Sequence, residues 1–433
     1  MIGKTISIIF ILSQFLLAQQ EEYRFEHITT NRQGLAHDCI SYILEDSRGF
    51  IWIGTENGLN RYDGYSLKEY KYDPTDPFSI NSNFIRTLYE DPADSGKVLW
   101  VGTWGGGLNK FDLETERFYH YRHNPDDPFS LSHNHVKCIY KENENLYWIG
   151  TEGGGLNRFD RTSGMFVSYK NDVNDPYSLS HNNVYSICGD RQGNLWVATE
   201  WIGLNKLEAK EIINLKKREI SGNNIIEKIK FIHYLSDNKK QYSLPSNSVY
   251  ALYEDHQGVL WVGTDGGLRK YEHEGDRFIQ HEFEGGYLNI LNNSSIWYIY
   301  EDDTEVLWIA TLGAGIVKLN KPRNRLTIFQ FDPNKVDNIN SNAISSVYRD
   351  QSGVVWIGTY CNGVNKLLPQ RKKIKHFFHR PEDPFSLRHN MVVTFYEDAS
   401  NVLWIGTLGG GLHKFKAERQ EFVPYNLGRI NYV

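Results

Sequence analysis

The run IWIGTENGLNRYD, Ile51 to Asp63, returns seven times along the 433-residue chain. It recurs as LWVGTWGGGLNKFD from Leu99, YWIGTEGGGLNRFD from Tyr147 and LWVATEWIGLNKL from Leu195. It recurs again as LWVGTDGGLRKY from Leu260, LWIATLGAGIVKL from Leu307, VWIGTYCNGVNKL from Val355 and LWIGTLGGGLHKF from Leu403. The tryptophans Trp52, Trp100, Trp148, Trp196, Trp261, Trp308, Trp356 and Trp404 stand 48, 48, 48, 65, 47, 48 and 48 residues apart. A repeat this regular identifies one structural unit copied in tandem.

Outward from the tryptophan, each period reads as four short strands joined by tight turns. A first strand such as Val249 to Asp255 ends in a polar turn, for example Asp190-Arg191-Gln192-Gly193. The tryptophan strand follows, then a glycine turn, the Gly-Leu-Asn strand, and a fourth strand such as FYHYRHN, Phe118 to Asn124. One such sheet has two apolar faces and covers neither alone. Sheets stacked radially around an axis cover each other, and closing the ring removes long exposed edges. The expected fold is therefore an all-β propeller of four-stranded antiparallel blades. It is either seven-bladed with an extra motif or eight-bladed, and Tyr23 to Thr29 matches the fourth-strand column, so it can complete a last blade. Each tryptophan sits between apolar neighbours on a strand covered on both sides, and the eight form a core column.

The N-terminal residues 1–18 carry Lys4, an apolar run from Ile6 to Leu17 and then Ala18, the plan of a secretory signal peptide. The run is shorter than the roughly 20 residues of a spanning helix. The expected mature chain, 19–433, has no membrane span, carries the eight repeats and is periplasmic or secreted. A formal net charge of −6 lacks the concentrated basic surface that nucleic acid requires. Cys39, Cys138, Cys188 and Cys361 show neither metal-ligand nor disulfide-framework spacing, and all four are expected to be free thiols. The glycine runs, such as Gly153-Gly154-Gly155, read as tight turns rather than phosphate cradles, because no helix follows them. The one departure from the period, near 207–240, is a surface loop or a partner contact.

The second-to-third-strand turns and the inter-blade connections share one face of a propeller. The position after the conserved-looking Thr varies there: Glu56, Trp104, Glu152, Glu200, Asp265, Leu312, Tyr360 and Leu408. Trp104, Trp201 and Tyr360, with Glu56, Glu152, Glu200 and Asp265, are the candidate ligand-binding residues, since turn aromatics can stack on sugar rings and carboxylates can accept from hydroxyls. The connections repeat as DPFSLSHNHV from Asp127, DPYSLSHNNV from Asp175 and DPFSLRHNMV from Asp383. Their Asn83, Asn134, Asn182, Asn247, Asn342 and Asn390 are expected to satisfy loop backbone. His133, His181 and His389 lie in different repeats without carboxylates at ligand spacing, so no metal or cofactor is expected. No Ser-His-Asp or Cys-His arrangement has context, and no catalytic residue is assigned.

Tyr23 to Gly64 and the motifs that follow resemble the two-component regulator propeller repeats of the periplasmic sensor region of hybrid two-component histidine kinases of Bacteroidetes. The resemblance implies a sensor of extracellular ligands, often oligosaccharides, coupled to a kinase. This sequence ends after eight motifs with no kinase and no membrane helix, as a fragment of a longer sensor would. The expected function is ligand binding, with an oligosaccharide or a second propeller as partner, or self-association. The alternatives are a secreted propeller enzyme of the lyase or glycosidase kind and a protein-interaction scaffold.

Overall fold

The computed structural model describes residues 24–30, 35–63, 66–91, 94, 96–216, 228–281, 291–321, 325–335, 338–350, 353–360, 362–368, 382–386, 392–397, 403–407, 411–416 and 421–425. The chain divides into two units, residues 1–370 and 371–433. The first holds seven four-stranded antiparallel sheets and the second holds one.

Blade one shows the plan: Ile40–Glu45, Ile51–Thr55, Gly58–Tyr62 and Leu67–Tyr70 pair in sequence order. Blades two to seven begin with Ile85–Glu90, Val136–Lys141, Val184–Gly189, Val249–Glu254, Ser295–Glu301 and Ile344–Arg349. These first strands pack one against the next around an axis, and that of blade seven packs against that of blade one. The ring is therefore closed at seven, which excludes the eight-bladed alternative. The strand Arg24–Ile28 supplies the missing fourth strand of blade seven, pairing antiparallel with Val364–Leu368 from Arg24 opposite Leu368 to Ile28 opposite Val364. The eighth motif forms the separate sheet Val392–Glu397, Leu403–Thr407, Gly411–Lys416 and Glu421–Tyr425.

Seven tryptophans of the ring are at most 3% exposed; the side chain of Trp404 lies outside the described residues. Each packs on the face of its own sheet against the next blade, as Trp52 does against Phe111 of blade two at 5.7 Å. The sheets approach so closely that a Cβ on Gly358 of blade seven would fall 2.7 Å from Ile40 of blade one. Burying an indole requires a partner for its N–H. In blades one, four, five, six and seven that partner is an aspartate six residues upstream: Asp46, Asp190, Asp255, Asp302 and Asp350 accept from Trp52, Trp196, Trp261, Trp308 and Trp356 at 2.7–2.9 Å. The other carboxylate oxygen accepts from the backbone N–H four residues on, so one buried side chain ties the first turn to the core. Blades two and three break this pattern. Asp94 turns to Arg161 and Glu142 to Arg158, and the indole nitrogens of Trp100 and Trp148 are buried without a partner.

A second set of bonds builds the turns. In every blade the Thr hydroxyl at the end of the second strand donates to a glycine carbonyl across the turn, at 2.6–3.0 Å. Gly155 has φ +76°, and a Cβ there would lie 2.4 Å from the Tyr169 carbonyl, so this position admits only glycine. The connection asparagines finish the loops. Asn83, Asn134, Asn182, Asn247 and Asn342 accept at Oδ1 from Tyr72, His123, Asn171, Ser236 and Phe331 backbone N–H groups at 2.7–2.8 Å. Their carbonyls accept from glycines of the preceding blade's turn. Asn390 lies outside the described residues.

Two expectations are corrected. Cys39 is disulfide-bonded, whereas Cys138 and Cys188 are free; Cys361 lies outside the described residues. The segment near 207–240 is not simply a loop: Ala209–Lys216 is helical, and Ile212 and Leu215 are buried in the core with Trp148, Leu195 and Phe231. The segment returns to supply the fourth strand of blade four, Phe231–Tyr234. Among the described residues no helix is long and apolar enough to cross a membrane, and residues 1–18 lie outside them.

Asp190→Ala strands the Trp196 indole and the Asn194 amides at once. We expect it to cost about 2–4 kcal/mol in urea unfolding. A loss no larger than that of an exposed Asp→Ala change would contradict the bracing role.

Candidate functional site

The first strand of every blade starts with an irregularity. In each of the seven, the pairing with the second strand shifts register across one residue near the strand's start, the second residue in six blades and the third, Trp297, in blade six, and leaves it an unpaired bulge. A bulge re-aims side chains, and the seven bulged residues are Ser41, Arg86, Lys137, Tyr185, Tyr250, Trp297 and Ser345. All line one central cavity of about 570 Å³. The residues on either side, such as Ile85 and Leu88 or Val184 and Ile187, turn back into the core. The mouth is thus a ring of seven side chains with no structural reason to be alike.

Blades four to seven supply an aromatic arc. Tyr185 meets Tyr250 at 5.4 Å, Tyr250 meets Trp297 at 5.5 Å, and Trp297 meets Tyr360 at 6.3 Å. Blades two and three supply two cations. The Arg86 guanidinium lies 4.6 Å from the Phe84 ring and 4.8 Å from the Trp104 ring, and its Nε is buried without a hydrogen-bond partner. The Lys137 ammonium lies 4.3 Å above the Tyr185 ring.

The turn residues singled out from sequence take three kinds of position. Glu56 and Tyr360 line the cavity itself. Trp104, Glu200 and Glu152 stand behind the mouth. Trp104 is stacked on His135 at 4.1 Å and 13°, with Arg86 also against its ring. Glu200 accepts from Tyr185 Oη at 2.9 Å and Asn183 Nδ2 at 2.6 Å, which fixes the tyrosine. Glu152 acts on Lys137 through its charge. Asp265 is exposed and acts on Tyr250 in the same way. Trp201 does not line the cavity; it is 62% exposed at φ 64°, and its ring lies 6.1 Å from His181. His133 and His181 accept from the backbone N–H two residues on, as turn caps, and His389 lies outside the described residues. His37, Cys39 and Glu56 offer atoms within 4.8 Å of one another. The disulfide on Cys39 removes the thiolate such a metal site would need.

Sequence reasoning missed the bulge column. Its signal was present: the aliphatic residues of the first strand, Ile85 and Leu88 or Val249 and Leu252, stand three apart, and a regular half-buried strand spaces them by two.

The electrostatics follow from crowding. Burial pushes the Lys137 amine down to about 8, the Arg86 charge adds to the shift, and Glu152 and Glu200 oppose it. Burial likewise raises the Tyr185 and Tyr250 phenols and lowers His135, which Arg86 lowers further. The cations at this mouth are held at a cost.

The family described as two component regulator propeller matches residues 34–57, 178–201, 243–266, 338–361 and 386–409. A 66-residue stretch, 15% of this chain, is 36% identical to histidine kinase P4 of Formosa agariphila and spans 5% of that protein. Among solved structures, the extracellular domain of a hybrid two component system from B. thetaiotaomicron superposes with a TM-score of 0.66 at 22% identity. The match covers 94% of this chain and 55% of that one, so the chain spans about half the length of the solved domain. Virginiamycin B lyase from Staphylococcus aureus shares the fold at a TM-score of 0.54 and 14% identity, over 80% of this chain and 99% of the lyase.

Folding lowers the Lys137 pKa from 10.5 to about 8. The charged amine therefore opposes folding fully below about pH 8, and the penalty fades as the pH rises from there to 10.5. Lys137→Met is expected to raise stability at pH 7 by up to about 3 kcal/mol, less what channel water screens. Urea unfolding at pH 7 and pH 10 checks this. A variant less stable than the parent at pH 7, or a difference that grows with pH, would contradict it.

Proposed function

We propose that this chain, a two-component regulator propeller protein, is the ligand-binding part of an extracellular or periplasmic sensor and reads an oligosaccharide at the channel mouth. The observation that carries the reading is the arc Tyr185, Tyr250, Trp297 and Tyr360, four aromatic side chains facing a cavity of about 570 Å³. Three of the four stand at bulged positions, where the blade core does not need them. Aromatic faces stack on the apolar faces of sugar rings, and the phenol and indole groups at their edges hydrogen-bond to hydroxyls. Ser41, Ser345 and Glu56 add further polar groups on the same wall.

A rigid rim suits recognition better than turnover. Both oxygens of Glu200 are engaged as acceptors from Tyr185 and Asn183, so it acts as a brace for the arc. Signalling follows if the occupied propeller differs from the empty one in its affinity for the rest of the sensor, since a ligand shifts an equilibrium only by its differential affinity.

A thermal-shift screen against plant and algal oligosaccharides tests the reading. A ligand at 100 times its Kd should add about 2.7 kcal/mol of stability. Trp297→Ala and Tyr250→Ala are expected to weaken a hit roughly 10- to 100-fold, as loss of a stacking platform worth about 1.5–3 kcal/mol would. The unliganded melting temperature should change little. Hits that bind both variants as tightly as the parent, or that are cleaved on incubation, would contradict it.

A further inference from the structure

Not every cation of the ring is paired in the same way. Away from the mouth, several cations at the blade contacts meet carboxylates. Arg158 pairs with Glu142 at 3.1 Å, Lys141 with Asp91 at 2.6 Å, Arg161 with Asp94 at 2.5 Å, and Lys321 with Asp255 at 2.9 Å and also with Glu301. Arg86 and Lys137 differ from these. They stand on adjacent blades at the same bulged position and line the same cavity, and neither forms an ion pair with a described carboxylate. Glu56 and Glu254 also line the cavity, but neither is paired with Arg86 or Lys137, so the two cations stand side by side without a counter-ion of their own.

We infer that the oligosaccharide of the proposed function carries an anionic substituent, a carboxylate or a sulfate ester, bound between Arg86 and Lys137. The inference rests on that reading and narrows its ligand class. The buried, unpartnered Nε of Arg86 is a donor awaiting an acceptor. The guanidinium is already oriented by Phe84 and by Trp104, itself stacked on His135. Lys137 is held over Tyr185, whose hydroxyl Glu200 fixes. Two like charges converging on one space repel each other, and a single anion between them turns that repulsion into two charge-assisted bonds. The aromatic arc across the mouth then stacks the ring that bears the anion. Glu56 and Glu254, which line the same cavity, and Glu152 and Glu200 behind it set the upper bound: their charge disfavours a polyanion, so one acidic residue of a largely neutral oligosaccharide is the matching chemistry. The groups acting on Lys137 are Arg86 from blade two, Cys138 beside it, and Glu152 and Glu200 from the turns of blades three and four. An anion added to this set favours the ammonium, so its binding is accompanied by proton uptake and weakens as the pH rises above about 8.

Isothermal titration of the full chain with four matched probes tests this: a galactose trisaccharide with a single terminal galacturonate and its methyl ester, and galactotriose with one 6-sulfate and galactotriose itself. The expected result is that one acidic probe binds at least tenfold more tightly than its neutral counterpart, and the pair that discriminates tells carboxylate from sulfate. Arg86→Gln and Lys137→Met should each remove the discrimination, while Trp297→Ala weakens acidic and neutral probes alike. The acidic probe's affinity should fall between pH 7 and pH 9.5. Neutral and acidic probes binding equally, with Trp297 still required, would overturn the anion site and leave the oligosaccharide reading standing. No binding by any of the four would overturn both.

Discussion

Each four-stranded sheet of the ring has two apolar faces, and what covers both is a pair of neighbours of the same kind. The geometry of the ring follows from that constraint. Trp52 reaches Phe111 of the next blade, and the glycine at the same level of blade seven leaves room for Ile40 of blade one. A chain that covered six contacts and left the seventh open would expose two apolar faces. Arg24–Ile28 prevents this by giving blade seven a strand from before blade one, so opening the ring requires breaking the pairing of Arg24–Ile28 with Val364–Leu368. The indole–aspartate pair then lets a large polar-edged ring be buried without a stranded N–H.

Because packing fixes two aliphatic residues three apart on the inner strands, as Ile85 and Leu88 or Ile296 and Ile299, the bulged residue between them is released from the core. That division of labour lets the mouth carry serine, arginine, lysine, tyrosine and tryptophan on seven nearly identical scaffolds. It also explains why Arg86 and Lys137 persist unpaired: the scaffold tolerates their cost, as functional sites commonly store destabilisation that the rest of the fold offsets. The rim behind them is less free. Trp104 and Glu200 look like contact residues when read as turn residues, yet one backs Arg86 and the other anchors Tyr185.

The fold was legible because its signal is repeated: the Trp column, the Thr-to-Gly turn and the connection asparagines recur at one period. Blade number was not, since eight motifs fit two closures, which the packing of blade seven on blade one and the pairing of Arg24–Ile28 with Val364–Leu368 distinguish. The disulfide at Cys39 and the helix Ala209–Lys216 were missed because neither recurs. For the site, the face was legible and part of the lining with it, Glu56 and Tyr360. The bulged column carries no repeated residue, and the three-residue spacing of the aliphatic residues beside it is its one mark in the sequence. Trp201 was singled out for being an aromatic in a turn, a property that does not say which way a turn faces.

The central claim is that ligand recognition belongs to the bulged inner strands at the channel mouth. Hydrogen–deuterium exchange of the chain with and without a saturating oligosaccharide tests it most directly. The account predicts added protection at 84–87, 135–138, 183–187, 248–251 and 295–298, and little change in the fourth strands. Protection confined to fourth strands or to the sheet of residues 392–425, with the inner strands unchanged, would contradict it.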